Sequence, residues 1–200
     1  MKLLLASASP RRAELLKQAG IPFRVEVSLV DEPAEKSSTP RGLVLKLARK
    51  KALEVSTRFQ DRYILAADTI VMHDGEVIGK PADETDASRM LACLSGKKHE
   101  VYTGLALLDT SNGSLENGVA VTSVWMKELS ALHIRNYVAT GEPFDKAGAY
   151  AIQGFAGLFI DRIEGCYTNV VGLPLGLLFD LLTRSGYPIW LNRKDGDNTQ

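Results

Sequence analysis

Short apolar runs alternate along the chain with stretches of helical spacing, and this alternation sets the fold class as α/β. The run Arg62-Tyr63-Ile64-Leu65-Ala66-Ala67 is the most strand-like. It ends at Asp68, continues from Thr69 to Met72, and meets a hairpin signal at Asp74-Gly75. Lys2 to Ala6 reads as a strand buried on both faces. The polar turn Ser7-Ala8-Ser9 follows, and Pro10 opens a helix to about Ala19 with Ser9 as N-cap. Leu15, Leu16 and Ala19 share one face of that helix, and Gly20 stops it. Phe23 to Leu29 alternates as another strand, leading to Val30-Asp31-Glu32-Pro33 and a polar loop over 34–38. Thr39-Pro40 then starts a long helix to about Thr57.

The second half continues the alternation. Residues 84–94 read as a helix closed by Ser95-Gly96, and Glu100–Leu108 and Val119–Met126 as long strands joined through Ser111-Asn112-Gly113-Ser114. Ser130 caps a helix to about Ala139, and the Gly-rich section 141–172 is expected to hold two short strands. Pro174 to Arg184 forms a last helix stopped by Gly186. The expected organisation is one domain over 1–190 and a flexible polar tail over 191–200.

Charge narrows the function classes. The 200 residues carry 24 Lys plus Arg against 24 Asp plus Glu, so net charge excludes a protein held to nucleic acid or membrane by bulk attraction. With 45% apolar residues the chain is not disordered or fibrous. Cys93 and Cys166 form no CxxC pair, and His73, His99 and His133 have no metal-binding spacing, so these histidines are read as surface or satisfied side chains. The apolar run at the N-terminus stops at Ser7, too short for a signal peptide, and no stretch approaches the ~20 apolar residues of a membrane helix. A reducing, cytoplasmic setting is expected.

Four places break the local pattern. At Ser7-Ala8-Ser9-Pro10-Arg11-Arg12, a strand, a small-residue turn and a helix N-terminus gather free N–H groups and a positive dipole end. Arg11 and Arg12 oppose that dipole unless an anion such as phosphate offsets them; the plainer reading is two solvated arginines. Lys51 falls on the apolar stripe of Leu43, Val44, Leu47, Ala48, Ala52 and Val55, so its stem snorkels from the core edge or its ammonium reaches into a cleft. Asp68 ends an apolar run and needs a cation, hydrogen bonds or a metal unless it merely starts a turn. The Gly-rich section, with Asp145-Lys146-Ala147-Gly148-Ala149-Tyr150 and Gln153-Gly154, permits close backbone approach to a ligand or serves as tight connections. Acids after strands, scattered Arg and Lys, and no Ser-His-Asp or Cys-His grouping favour metal-assisted phosphate chemistry.

The string Leu5-Ala6-Ser7-Ala8-Ser9-Pro10-Arg11-Arg12-Ala13-Glu14-Leu15-Leu16 resembles the opening signature of the Maf family of nucleoside triphosphate pyrophosphatases. The likeness continues in order through Val30-Asp31-Glu32, Leu47-Ala48-Arg49-Lys50-Lys51-Ala52, Ala67-Asp68-Thr69 and Gly79-Lys80-Pro81. It resumes at Leu94-Ser95-Gly96, the stretch Asp145 to Gly154, and Asn169-Val170-Val171-Gly172-Leu173-Pro174. The resemblance implies a single Maf/ITPase-like α/β domain of two lobes around a mixed, twisted sheet, with the nucleotide in a cleft between them. It further implies hydrolysis between the α and β phosphates with a divalent cation, Mg²⁺ or Mn²⁺, often in a homodimer. Carried over residue by residue, Asp68, Glu32, Lys51 and Lys80 are catalytic, Ser7, Arg11 and Arg12 bind phosphate, and Glu32 and Asp68 hold the metal.

Arg11, Thr69 and Gln153 match the branch of the family acting on dTTP and UTP; the branch acting on 7-methyl-GTP has Trp, Gln and Glu there. The chemistry is consistent, since Gln both donates to and accepts from a neutral pyrimidine edge. Cys166 departs from the more usual Ser. The resemblance thus implies a housecleaning hydrolase of dTTP and UTP and of modified pyrimidine nucleotides. The alternatives are a nucleotide-binding regulator of septum formation with little turnover, and, more weakly, a nucleotidyltransferase.

Overall fold

The structure, a computed structural model, describes residues 3–30, 39–60 and 62–190. The expected loop over 34–38, the acids Asp31 and Glu32, and the expected tail over 191–200 lie outside the described residues. The order of elements is β1 (Leu3–Leu5), α1 (Pro10–Gln18), β2 (Phe23–Val25), α2 (Pro40–Ser56), β3 (Tyr63–His73), β4 (Glu76–Ile78) and α3 (Glu84–Leu94). These are followed by β5 (Lys98–Asp109), β6 (Ser114–Met126), α4 (Ala131–Val138), β7 (Ile160–Glu164), α5 (Tyr167–Val171) and α6 (Leu175–Arg184). The strands form one seven-stranded sheet in the order β2-β1-β3-β5-β6-β7, with β4 paired to β3. The sheet is mixed. β1 runs parallel to both β2 and β3, whereas β4 and β7 pair antiparallel with β3 and β6.

The chain divides into two compact units. The first comprises Met1–Asp68, Gly104–Val119 and Gly172–Gln200; the second comprises Thr69–Thr103 and Ala120–Val171. In the first unit, β1 lies between two parallel neighbours, which is why all three of its leucines are buried, as a two-faced strand requires. α2 covers this part of the sheet with Ala48, Ala52 and Val55, which pack on Leu4, Ala6, Ile64, Ala66, Ala106 and Leu108. The contact is close because Gly104 has no side chain: a Cβ there would lie 2.6 Å from the Val44 carbonyl. Thr39 caps α2 by accepting a hydrogen bond from the Gly42 N–H at 3.1 Å, with Pro40 in the first turn.

The second unit is built on α3 and α4. Met90, Leu91 and Leu94 pack with Ile134, Tyr137 and Val138, and Tyr150 and Ala156 close the same cluster. Asp74 (φ 49°) and Gly75 (φ 80°) make the tight turn between β3 and β4, the left-handed pair that Asp-Gly favours.

Three local expectations change. β2 stops at Val25 rather than Leu29, because parallel pairing to the three residues of β1 ends there. β5 and β6 are longer than their apolar patterns, since ladder pairing carries polar residues such as Lys98 and Glu116 into strands. The Gly-rich section holds one strand, β7, with two 3-10 turns (Ala147–Ala149 and Phe155–Phe159) and α5 where a second strand was expected. Positive φ at Gly148 and Ala149 suits a turn rather than a ladder.

Candidate active site

The first unit presents a loop and a strand end side by side. Leu5 of β1 is in register with Leu65 of the parallel strand β3, so the loop after β1 runs beside Ala66 to Asp68. Ser7, in that loop, is buried, and its Oγ accepts hydrogen bonds from the Ser9 N–H (3.2 Å) and from Arg12 Nη1 (2.9 Å). Arg12 Nε donates to the carbonyl oxygen of Gly172 at 2.8 Å. These two contacts orient the guanidinium. Ser9 occupies the N-cap of α1, but its hydroxyl makes no cap hydrogen bond, and no acid lies in the first turn. The expected capping by Ser9 is thus positional only; the N–H groups and dipole of α1 face the same loop as Arg11 and Arg12.

Lys51 and Asp68 meet. Lys51 Nζ lies 2.7 Å from Asp68 Oδ1, and the two side chains are 11% and 8% exposed. The helical spacing that sets Lys51 on the buried stripe of α2 also aims its ammonium at the end of the apolar run in β3, so the two open readings of Lys51 and Asp68 resolve into one ion pair. A buried carboxylate is tolerated when a cation and hydrogen bonds hold it.

The second unit carries the remaining candidates. Thr69 is half-buried, and its Oγ1 lies 2.9 Å from Oγ1 of the fully buried Thr103. Thr103 Oγ1 donates to the carbonyl oxygen of Asn169 at 3.2 Å, and Asn169 Nδ2 donates to Val101 O (3.0 Å) and Thr122 Oγ1 (2.9 Å). Lys80 and Gln153 are exposed. The Gly79 carbonyl, one residue before Lys80, accepts from the Gly148 N–H at 2.9 Å, tying that segment to the Gly-rich section. After Gln153, the Phe155 N–H donates to Glu142 Oε2 at 3.1 Å, while Tyr137 OH donates to Glu142 Oε1 at 2.9 Å. Burial, reinforced by this carboxylate, pushes the Tyr137 hydroxyl well above the usual tyrosine range, so it stays a donor.

Two histidines read as surface or satisfied side chains prove to be deeply buried. His99 Nε2 lies 2.7 Å from the Tyr150 hydroxyl, and His73 Nδ1 lies 3.0 Å from Lys98 O. Burial, with the charge of His73 adding to it, lowers His99 to about 4. His133 is satisfied by reciprocal capping with Ser130.

The two pairs Ser7–Arg12 and Lys51–Asp68 are therefore brought together, Arg11 stands half-buried in the first turn of α1, and Glu32 lies outside the described residues. Sequence reasoning missed Thr103, Glu142 and the role of the Gly172 carbonyl, which are recognisable only through partners distant in the chain. Among the described residues, no group of three or more His, Cys, Asp or Glu side chains could hold a metal ion. Asp68 offers one carboxylate. That fits Mg²⁺ or Mn²⁺ used with a triphosphate, since Mg²⁺ takes one or two carboxylates and completes its shell with phosphate oxygens and water.

A family model described as Maf-like protein matches residues 2–185. The chain belongs to the Maf family. A dTTP/UTP pyrophosphatase from Pelotomaculum thermopropionicum is 48% identical over 188 residues, covering 94% of this chain and 98% of that protein. Another from Symbiobacterium thermophilum is 51% identical over 189 residues, covering 94% and 96%. Among solved structures, a HAM1 protein from Coxiella burnetii superposes with TM-score 0.52 at 15% identity, covering 92% of this Maf chain and 99% of that one. That last likeness shows the mixed α/β fold alone. No helix among the described residues is long and apolar enough to cross a membrane.

Proposed function

We propose that this Maf protein hydrolyses the α–β phosphoanhydride bond of dTTP and UTP, releasing the nucleoside monophosphate and pyrophosphate. The observation that carries the reading is the Lys51–Asp68 pair set beside the Ser7–Arg12 loop at the carboxyl end of parallel strands. An oriented carboxylate next to a cation-rich helix N-terminus suits a water attacking a phosphorus. The choice of nucleotide is supported by the relatives named above and by Arg11, Thr69 and Gln153 as specificity positions.

Each residue has a share. Ser7 Oγ already accepts two N–H groups, so its own O–H is what it offers to a phosphate oxygen. Arg11 and Arg12 balance the negative charge of the triphosphate, and Arg12 is held in orientation by Gly172 and Ser7. Lys51 fixes the Asp68 carboxylate, which takes the proton of the attacking water. The water oxygen bonds to the α-phosphorus as the bridge to the β-phosphate breaks, and the electron pair leaves on pyrophosphate. Lys80 steadies that leaving charge. Glu32 and Asp68 would hold a divalent cation, which when bound supplies Lewis-acid polarisation of phosphate oxygens and a more acidic water.

A housecleaning role on modified pyrimidine triphosphates, a cytoplasmic setting and a homodimer belong to the same proposal; mass in solution tests the last. The decisive experiment incubates the protein with Mg²⁺ or Mn²⁺ and a nucleotide panel and assays pyrophosphate. Release from dTTP and UTP is expected. Release from 7-methyl-GTP but from neither pyrimidine would overturn the branch, and tight nucleotide binding without release would replace the enzyme by a binding regulator.

A further inference from the structure

One face of β5, β6 and β7 in the second unit carries an ordered pattern of charge. Side chains alternate across a strand, so Lys98 and Glu100 share the face of β5 opposite to His99 and Val101. His99, Val101, Val124 and Met126 are buried, whereas Lys98, Arg162 and Glu164 are exposed, and Glu100, Ser123 and Trp125 are half-buried. Register sorts the second set into two rows. Trp125 lies opposite Arg162, and Ser123 lies opposite Glu164. The Arg162 guanidinium carbon is 3.7 Å from the centroid of the Trp125 ring, and the Lys98 ammonium is 5.4 Å from it. One row across the strands therefore reads Lys98, Trp125, Arg162: cation, indole, cation. Two residues along each strand the next row reads Glu100, Ser123, Glu164, with acids at both ends. Rows so spaced lie about 7 Å apart.

These charges are only loosely engaged with one another. Lys98 Nζ approaches Glu100 at 3.7 Å, an exposed contact of little worth, and Glu100 Oε2 also accepts from Tyr102 OH at 2.7 Å. Stacking on the indole uses the face of the Arg162 guanidinium and not its N–H donors, which suit a carboxylate.

We propose that this face packs on the same face of a second copy of the chain, about a two-fold axis that lies in the contact plane and runs between the two rows. The inference rests on the homodimer reading above and names its surface. A two-fold contact must be self-complementary. Rotation about that axis lays the cationic row of each copy over the acidic row of the other. Arg162 then meets Glu164 of the partner subunit, and Lys98 meets Glu100 of the partner subunit. A two-fold axis along the strands would lay cations on cations, so the charge pattern selects one orientation. Packed sheets lie about 10 Å apart, a gap that an arginine and a glutamate span together. Trp125, on the middle strand of the three, is the anchor, a residue type enriched at the centres of contacts.

Sedimentation of the full chain tests this. Wild type at micromolar concentration should be a dimer that loosens as salt rises. Arg162→Glu makes the β7 part of the face wholly acidic, and Glu164→Arg makes it wholly basic. Each alone should raise the dissociation constant by about tenfold or more. Mixed in equal amounts, the two variants should form a heterodimer, because acid then meets base at both positions. A merely structural defect in either variant cannot produce that rescue. A wild-type dimer that neither variant loosens, or a mixture that stays monomeric, refutes this interface and leaves the homodimer standing. A monomeric wild type removes the homodimer reading and the inference with it. Should Arg162→Glu not fold, Lys98→Glu mixed with Glu100→Lys carries the same comparison on β5.

Discussion

Replacing Lys51 by methionine isolates the ion pair at the centre of the first unit. Methionine keeps most of the lysine stem, so packing on Leu47 and Ala48 persists while the ammonium 2.7 Å from Asp68 Oδ1 is lost. Asp68 then keeps its charge at a site where its side chain is only 8% exposed. Removing one partner of a buried pair costs about 3–5 kcal/mol. At about 2–4 °C per kcal/mol for a domain of this size, Tm should fall by roughly 6–20 °C. The double variant Lys51→Met/Asp68→Asn removes both charges of the pair and should regain most of that loss. Thermal melts followed by circular dichroism, with urea titrations for the free energies, close the cycle. The loss should persist at about 1 M salt, because a buried pair is screened little. A fall in Tm under about 2 °C for Lys51→Met, or no recovery in the double variant, refutes the reasoning.

Other outcomes follow from the same geometry. Asp68→Asn should lose most pyrophosphate release while melting cooperatively; rates near wild type would take Asp68 out of the chemistry. Gly104→Ala drives a Cβ to 2.6 Å from the Val44 backbone, so a loss of about 1–3 kcal/mol is expected in urea titrations. His99, lowered by burial to about 4 from 6.5, binds its proton more weakly folded than unfolded. Its contribution, on the order of 3 kcal/mol, is complete above pH 6.5 and is lost as pH falls towards 4. His99→Gln should flatten that part of the stability–pH curve, and an unaltered slope counts against it. Glu142→Ala removes the acceptor for Tyr137 OH and the Phe155 N–H, so both stability, by about 1–3 kcal/mol, and nucleotide preference through Gln153 should shift; Glu142→Gln should recover part of each.

What the sequence made legible divides along a physical line. The bounds of α2 and α3 and the turn at Asp74-Gly75 are local matters of caps, breakers and left-handed dihedrals, and they match the structure within a residue or two. Lys51 and Asp68 each stood out because a charge on an apolar stripe needs a reason. Their pairing did not, since it depends on α2 lying close over the sheet at Gly104. The extra length of β5 and β6 comes from ladder partners elsewhere in the chain, which no window of neighbours contains. The hydrogen bonds that link Thr69, Thr103 and Asn169 join residues 34 and 66 positions apart, which no local pattern of the sequence contains.

The hydrogen bond from Arg12 to Gly172 spans 160 positions of sequence, and it sets a schedule for a chain being made. At about 5–20 residues per second, Arg12 waits roughly 10–30 s for the carbonyl that fastens it. The second unit, complete at Val171, has all its residues before the first unit receives its last segment from Gly172 onward. A chain cut short in that interval lacks the Gly172 carbonyl that Arg12 Nε bonds in the finished fold. The tie between the loop after β1 and the start of the last segment is thus among the last contacts that synthesis makes possible.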